Sequence, residues 1–236
     1  MKTLTLLTGV LALLLLALSG PLYQAEILGL KHAFLAMTIA LGIGVLSLLL
    51  ALIQVLFMRK SISWSTTIIA VVCASITVYM PLSMRSKAST VPPIHDITTD
   101  LVNPPKFVAI LALRADAPNP AEYQGEKIAS QQREAYPEIT TQQYQQSSEQ
   151  VFNASMAALK EMGLEVVNSD QSMGLIEAYD TTTWFGFIDD VVIRIQNDGE
   201  MTLLDARSKS RVGMSDIGKN AERLNDLFAG IKNNLN

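Results

Sequence analysis

The sequence predicts a mixed α+β protein: N-terminal transmembrane helices followed by an antiparallel-sheet domain with flanking helices, in the order helix, four strands, helix. Residues 1–84 contain only five charged side chains, whereas residues 85–236 contain the other 14 basic and 21 acidic ones. The first part has long apolar stretches, and the second has shorter apolar segments separated by turn residues. The chain therefore divides into a membrane anchor, residues 1–87, and an acidic soluble domain, residues 88–236.

Composition excludes one class of protein and argues against another. The single cysteine, Cys73, cannot form an internal disulfide, which excludes a disulfide scaffold. The net charge of −4 argues against a nucleic-acid partner, because binding to phosphates depends on a surplus of positive charge. The sequence also contains no phosphate-binding loop or dinucleotide fingerprint, so no cofactor is predicted.

Three apolar stretches, at about 3–22, 33–58 and 62–84, predict the membrane spans. A helix needs roughly 20 apolar residues to cross the hydrocarbon core. The second and third stretches are separated only by residues 59–61, so they predict an antiparallel helical hairpin. The first stretch has two interpretations: a retained span, or a secretory signal cleaved after Ser19.

Both interpretations of the first stretch place the soluble domain on the same side of the membrane. Three spans that start inside, or a cleaved signal followed by two spans, each put residues 88–236 outside the cytoplasm. The positive-inside rule adds little, since Lys2, Arg59 and Lys60 on one side nearly balance the basic residues on the other. We expect a multi-pass protein of the inner (plasma) membrane with a periplasmic domain and the lipid bilayer as its first partner.

The soluble domain begins with a proline-rich arm, residues 90–146. Within the arm we predict a strand at 107–113 and a helix around 121–133. Ser147 and Gln150 form a capping-box pattern that opens a helix, and a last helix is predicted from about 215 to 233. Four strands are predicted between these helices, covered by them on one face of the sheet: 164–167, 175–179, 189–196 and 201–208.

Asp198 and Gly199 predict a two-residue hairpin loop between the last two strands, because a type I′ turn requires positive φ at both positions. This loop sets a register in which Asp190 faces Arg207, while Arg194 and Asp205 lie diagonally. Opposite charges across strands contribute roughly 0.2–1 kcal/mol each. We therefore expect a structural network of Asp190, Arg194, Asp205 and the helix-capping Asp216, with Glu177 on the same sheet face.

Five segments together resemble the bacterial and plastid family known as domain of unknown function 1499. They are His95–Asp100, Asn103–Pro105, Ala135–Ile139, Asp189–Arg194 and the stretch from Arg207 to Arg223. The resemblance covers about residues 90–232. It implies a domain often attached to membrane spans or export signals, and it implies no activity.

The segment that leads into the last helix is the best candidate for a binding site. A helix N-terminus attracts anions, and guanidinium groups bind phosphate or carboxylate with two hydrogen bonds. A small anion or another membrane protein is the expected partner of this candidate site, which comprises Arg207, Ser208, Ser210, Arg211, Ser215 and Asn220. Because Asp216 can cap the same helix, an internal network remains the alternative.

Catalysis is the second hypothesis. His95 is the candidate general base, and the carboxylate of Asp96 or Asp100 would orient it. With Arg211 nearby, this arrangement would make a hydrolase-like enzyme. One histidine with scattered carboxylates lacks the ligand density of a zinc site, so no metal is predicted. The leading prediction is a non-enzymatic binding or accessory module at the outer face of the inner membrane. The hydrolase and an assembly factor for a membrane complex remain alternatives.

Overall fold

A computed structural model describes all 236 residues and confirms the mixed α+β class. The chain forms two compact units. One comprises residues 1–87 together with 183–186, and the other comprises residues 88–182 and 187–236.

The first unit contains three helices that are long and apolar enough to cross a membrane: α1 (Lys2–Gln24), α2 (Leu30–Phe57) and α3 (Trp64–Ala88). A 3-10 turn, Arg59–Ser61, lies between α2 and α3. Gly9 permits close packing, because a Cβ atom there would lie 2.8 Å from the Ala70 carbonyl oxygen. Small residues at such positions allow membrane helices to approach closely.

Residues 183–186, which connect two strands, pack against the helices of the first unit. The Trp184 indole donates a hydrogen bond to the Ala17 carbonyl oxygen at 3.2 Å. The Phe185 ring stacks on Phe34 with ring centroids 5.6 Å apart, and it is buried. Trp184 therefore contacts α1, and Phe185 contacts both α1 and α2.

The second unit contains a six-stranded antiparallel sheet and four helices. The strands are β1 (Asp96–Thr98), β2 (Gln142–Tyr144), β3 (Glu165–Asp170), β4 (Leu175–Thr181), β5 (Ile188–Asn197) and β6 (Thr202–Ser210). Their order in the sheet is β1-β6-β5-β4-β3, and β2 also pairs with β6. The two strands of three residues, β1 and β2, were not predicted. The helices are α4 (Ile110–Leu113), α5 (Glu126–Ala135), α6 (Ser148–Glu161) and α7 (Lys219–Leu235).

Helices α6 and α7 pack on one face of the sheet, which we call the helix face. The predicted capping box at the start of α6 is confirmed, with Ser147 and Gln150 satisfying each other's backbone N–H groups. Apolar residues spaced three and four apart on both helices pack on alternate residues of β4, β5 and β6. The fully buried members of this core include Val151, Leu159, Ile176, Ile193, Leu204, Leu224, Leu227 and Ile231.

The predicted register of the β5–β6 hairpin is wrong by two residues. Asn197 pairs with Thr202, so the loop contains four residues, 198–201, rather than two. The Asp198 carboxylate accepts hydrogen bonds from the backbone N–H groups of Glu200 and Met201 at 3.0 and 2.8 Å, which stabilises the longer loop. A shift of two keeps every side chain on its predicted face but changes its partner.

The arm also departs from the prediction. Residues 107–113 form no strand; Ile110–Leu113 is the short helix α4, and α5 begins later than expected, at Glu126. Residues 105–123 of the arm cover the sheet face opposite the helices, which we call the arm face. Phe107 and Ile110 pack there on Val192, and all three are buried. The expectation that the sheet is covered on one face only is therefore wrong.

Candidate functional site

A cluster of charged side chains lies on the arm face of the sheet. Alternate residues of a strand point to the same face, which brings Asp96, Asp190, Arg207 and Lys209 together across β1, β5 and β6. Arg211 continues the alternation just beyond β6, and Arg114 enters from the end of α4. We call these six residues the cationic cluster, because four cations surround two carboxylates.

Asp96 binds two of the four cations. Its carboxylate accepts two hydrogen bonds from the Arg207 guanidinium, both at 2.8 Å. The Lys209 ammonium donates a third to the same carboxylate, also at 2.8 Å. The expected pair of Asp190 with Arg207 does not form, because the two-residue shift of register moves Asp190 opposite Lys209.

Asp190 binds the other two cations. Arg211 donates to it through Nε and Nη2, with the shortest distance 2.7 Å. The Arg114 Nη1 atom lies 3.1 Å from the Oδ2 atom of the same carboxylate. Each of the two carboxylates therefore serves two positive groups.

The cluster is almost fully shielded from solvent. The exposed fraction of the side chain is 0% for Lys209, 2% for Arg114 and 3% for Arg207, but 13% for Arg211. The Phe107 ring lies against both Arg207 and Arg114, with centroid distances of 5.0 and 5.2 Å. Arg211 is thus the member that reaches the surface.

Burial and mutual repulsion act on the cations of the cluster. Burial lowers the pKa of Arg114, Asp190 opposes this, and the charges of Arg207 and Arg211 add to the lowering. The pKa of Lys209 is also lowered, first by burial, with Asp96 opposing and Arg207 adding to it. Backbone carbonyl oxygens of Pro105, Ala121, Glu122 and Leu113 accept further hydrogen bonds from these cations. The charges themselves do not balance, because four positive groups share two carboxylates.

Three buried donor atoms in this region make no hydrogen bond: Arg114 Nε, Arg114 Nη1 and the Tyr123 hydroxyl. Of these, Nη1 lies 3.1 Å from the carboxylate of Asp190. The Tyr123 ring lies 5.6 Å from the Arg207 guanidinium carbon, and burial is the first cause that raises the pKa of its phenol to about 12. The hydroxyl therefore remains a donor at neutral pH. Sequence reasoning missed Arg114; the available signal was a single cation directly after the apolar run 107–113.

The hydroxyl and amide members of the predicted site lie on the other side of the sheet. Ser208, Ser210 and Asn220 form a hydrogen-bonded group on the helix face, with Asn220 contacting both serine hydroxyls at 2.6 and 3.0 Å. Arg223 joins this group and binds Asp180 and Asp189. The structure therefore separates Ser208, Ser210 and Asn220 from Arg207 and Arg211.

The start of the last helix is occupied by its own cap. Helix α7 begins at Lys219, later than predicted, after Gly218 in a left-handed conformation. The Asp216 carboxylate accepts hydrogen bonds from the N–H groups of Gly218 and Asn220, both at 2.8 Å, and burial raises its pKa. The Ser215 hydroxyl accepts from the Ile217 N–H. The N–H groups that an anion would bind at the start of α7 therefore already donate to Asp216 and Ser215.

His95 and Asp96 do not form a catalytic pair. The His95 Nδ1 atom lies 3.3 Å from the Met214 carbonyl oxygen, whereas the Asp96 carboxylate binds Arg207 and Lys209. Neighbouring residues of an extended chain point to opposite sides, which explains the separation. Asp100 accepts hydrogen bonds from the N–H groups of Val102 and Asn103 and belongs to a separate ion pair.

That ion pair centres on Arg194. Its guanidinium binds Asp205 at 2.7 Å and Asp100 at 3.0 Å. Arg194 and Asp205 are directly opposite in the register, not diagonal as predicted. Burial tends to raise the pKa of Asp100, but hydrogen bonds from Asn103, Val102 and Arg194 outweigh it and lower the pKa.

Glu177 is fully buried on the arm face, and its oxygens bind backbone rather than cations. They accept hydrogen bonds from the N–H groups of Val108, Ala109 and Ile110 at 2.7, 2.8 and 3.3 Å. These groups are the start of α4, which leads directly to Arg114. Glu177 thus positions the chain that delivers Arg114 to the cluster.

A small cleft of about 170 Å³ lies beside Asp100. Its lining includes Thr99, Gln132, Tyr136 and Thr141. This volume is below the usual range for sites of organic cofactors. No group of three or more His, Cys, Asp or Glu side chains is placed to hold a metal ion.

Comparison with known proteins places the soluble domain in a family. No protein of curated function matches the chain. A family model described as "Protein of unknown function (DUF1499)" matches residues 96–231, which is more than half of the chain and includes every member of the cationic cluster. The chain therefore belongs to the DUF1499 family.

Proposed function

We propose that this protein is a membrane-anchored, non-enzymatic binding module whose soluble domain binds a small anion at the cationic cluster. The observation that carries the proposal is Arg114: its side chain is buried, its Nε atom has no partner, and it shares the carboxylate of Asp190 with Arg211. An anion bound there would supply both the missing acceptor and the missing negative charge.

A binding role is favoured over catalysis by the arrangement of the candidate acid–base groups. General base catalysis needs a histidine within hydrogen-bond reach of its steering carboxylate and of the substrate. The Asp96 oxygens are engaged by Arg207 and Lys209, and the His95 ring is buried beside Met214. Arg211, with its partly exposed guanidinium, gives the anion a route to the cluster.

Binding of inorganic phosphate to the full chain in detergent micelles tests this proposal. For the native protein we expect a saturable rise in the unfolding temperature, since a ligand at 100 times its Kd stabilises by about 2.7 kcal/mol. The variant Arg114→Met should lose this rise, because the methionine fills the space beside Phe107 without a donor. The matched control is Arg133→Met, which changes an exposed arginine paired only with exposed Glu126.

The control separates binding from a general salt effect, because phosphate strengthens hydrophobic burial in any protein. Equal rises in the native protein, Arg114→Met and Arg133→Met would overturn the proposal. If Arg114→Met is too unstable to compare, Arg114→Lys keeps the charge and removes the bidentate geometry. That variant should bind phosphate more weakly than the native protein.

We also propose that the domain lies outside the cytoplasm, at the outer face of the inner membrane. The support is the number of spanning-capable helices: three spans put the two ends of the anchor on opposite sides of the membrane, and the proposal assigns the N-terminus to the cytoplasm. Two reporters fused after Asn236 test it: an enzyme that matures only outside the cytoplasm should be active, and a protein that fluoresces only inside should stay dark. The reverse pattern would contradict this topology.

A further inference from the structure

We infer that the anion bound by the cationic cluster is a tetrahedral oxyanion with two negative charges, of the sulfate or phosphomonoester class. The inference rests on the proposed function and names its ligand class. It follows from the number of charges that the sheet and the arm bring together, and from the donors that remain free.

The charge count comes from the contacts themselves. Arg207 and Lys209 share Asp96, and Arg114 and Arg211 share Asp190. Four positive groups on two carboxylates leave a surplus of two positive charges. Two like charges about 4 Å apart interact strongly even at an effective dielectric constant of about 20. An anion of charge −2 neutralises the surplus, whereas one of charge −1 leaves half of it.

The other charged groups of the arm face are occupied elsewhere. Arg194 lies between Asp100 and Asp205, so that group has one negative charge in excess. The Glu177 carboxylate is bound by three backbone N–H groups at the start of α4 and by the Asn168 amide at 3.2 Å. None of these carboxylates contacts a member of the cluster, so the positive surplus remains local.

The free donors favour an oxyanion over a halide. Arg114 Nε is unpartnered, and Nη1, on the other side of the guanidinium, lies 3.1 Å from Asp190 without forming a hydrogen bond. The Nε–H bond lies on the same edge as Nη2, which donates one proton to the Asn119 carbonyl oxygen at 3.0 Å and keeps a second. Two oxygens of a tetrahedral anion can bind this edge, whereas a spherical ion cannot exploit its shape. Arg211, which binds Asp190 and is partly exposed, lies between the cluster and the solvent.

A series of small oxyanions that differ in charge tests the inference on the full chain in detergent. Methyl phosphate and sulfate carry two charges at about pH 8, whereas dimethyl phosphate and acetate carry one. We expect the two dianions to bind at least about tenfold more tightly than dimethyl phosphate. Dimethyl phosphate also represents the phosphodiester of a lipid headgroup, so tighter binding of methyl phosphate favours a free phosphomonoester over a phospholipid.

The variant Lys209→Met provides a second test. It removes one of the two surplus charges and leaves Asp96 bound to Arg207, so the preference for dianions should fall to less than about threefold. Lys127→Met, an exposed lysine of α5, should leave the preference unchanged. If Lys209→Met does not fold, the ligand series on the native protein decides alone.

The outcomes separate this inference from the proposed function. Equal affinities for methyl phosphate and dimethyl phosphate, both lost in Arg114→Met, would overturn the charge inference and leave the anion site in place. The absence of binding by every anion in the series would overturn both.

Discussion

Replacing Asp96 with asparagine is expected to lower the free energy of unfolding by about 3–5 kcal/mol, because it leaves two buried cations without their shared countercharge. Arg207 and Lys209 are 3% and 0% exposed, and both donate to the Asp96 carboxylate. Asparagine keeps the size of the side chain and one oxygen acceptor, so the loss measures charge rather than packing. No other carboxylate lies in contact with these two cations.

Thermal unfolding of the full chain, followed by the near-ultraviolet circular dichroism of its aromatic residues, checks this expectation. A loss of this size corresponds to a fall of roughly 6–20 °C in the unfolding midpoint. Asp116→Asn, an exposed change in the arm, is the matched control and should shift the midpoint by less than about 2 °C. A fall no larger than that of the control would contradict the assignment of Asp96 as the shared countercharge.

The double variant Asp96→Asn with Lys209→Met sharpens the result. Removing one of the two unpaired cations should recover part of the lost stability, because an apolar side chain of similar length no longer requires a countercharge. Additive losses would instead mean that the two residues are energetically independent. The cycle thus isolates the ion pair from the packing of each side chain.

The order and type of the main elements could be predicted because each depends on local signals. Three apolar stretches predict the membrane helices by length alone, and the capping box at Ser147 fixes the start of α6. Strands β4, β5 and β6 alternate apolar residues toward the helix face. These patterns do not depend on contacts with residues distant in sequence.

The partners of the charged residues could not be predicted, because they depend on register and on the arm. A hairpin loop of four residues instead of two leaves each side chain on its predicted face of the sheet but changes the residue opposite it. Arg207 therefore binds Asp96 rather than Asp190. Asp96 itself lies on β1, a three-residue strand with no periodicity to detect. Short strands that pair only through distant partners leave little trace in sequence.

The position of Arg114 could not be predicted for the same reason: it depends on a contact distant in sequence. The apolar run before it fits a strand as well as a helix, and short runs of this kind are ambiguous by periodicity. The helix is favoured over the strand by Glu177, which lies 68 positions after Ala109 and accepts a hydrogen bond from the Ala109 N–H group. A tertiary hydrogen bond therefore decides the local structure and places Arg114 over the sheet.

Replacing Glu177 with glutamine is accordingly expected to release α4 and to lower the free energy of unfolding by about 3 kcal/mol. The carboxylate accepts three backbone N–H groups in an environment without solvent, whereas an amide offers one oxygen and turns its own donors toward the others. Hydrogen exchange should show faster exchange at Val108, Ala109 and Ile110 than elsewhere in the domain. Glu134→Gln, which changes an exposed glutamate of α5, is the matched control.

The same variant links the fold to the proposed site. Arg114 immediately follows α4, so a released helix no longer holds its guanidinium beside Asp190. We expect Glu177→Gln to weaken phosphate binding more than tenfold under conditions where the sheet is still folded, although Glu177 contacts no cation of the cluster. If stability falls while exchange at residues 108–110 and phosphate affinity stay native, Glu177 supports the sheet alone. Arg114 would then be positioned by Asp190 and Asn119, whose carbonyl oxygen accepts its remaining hydrogen bond at 3.0 Å.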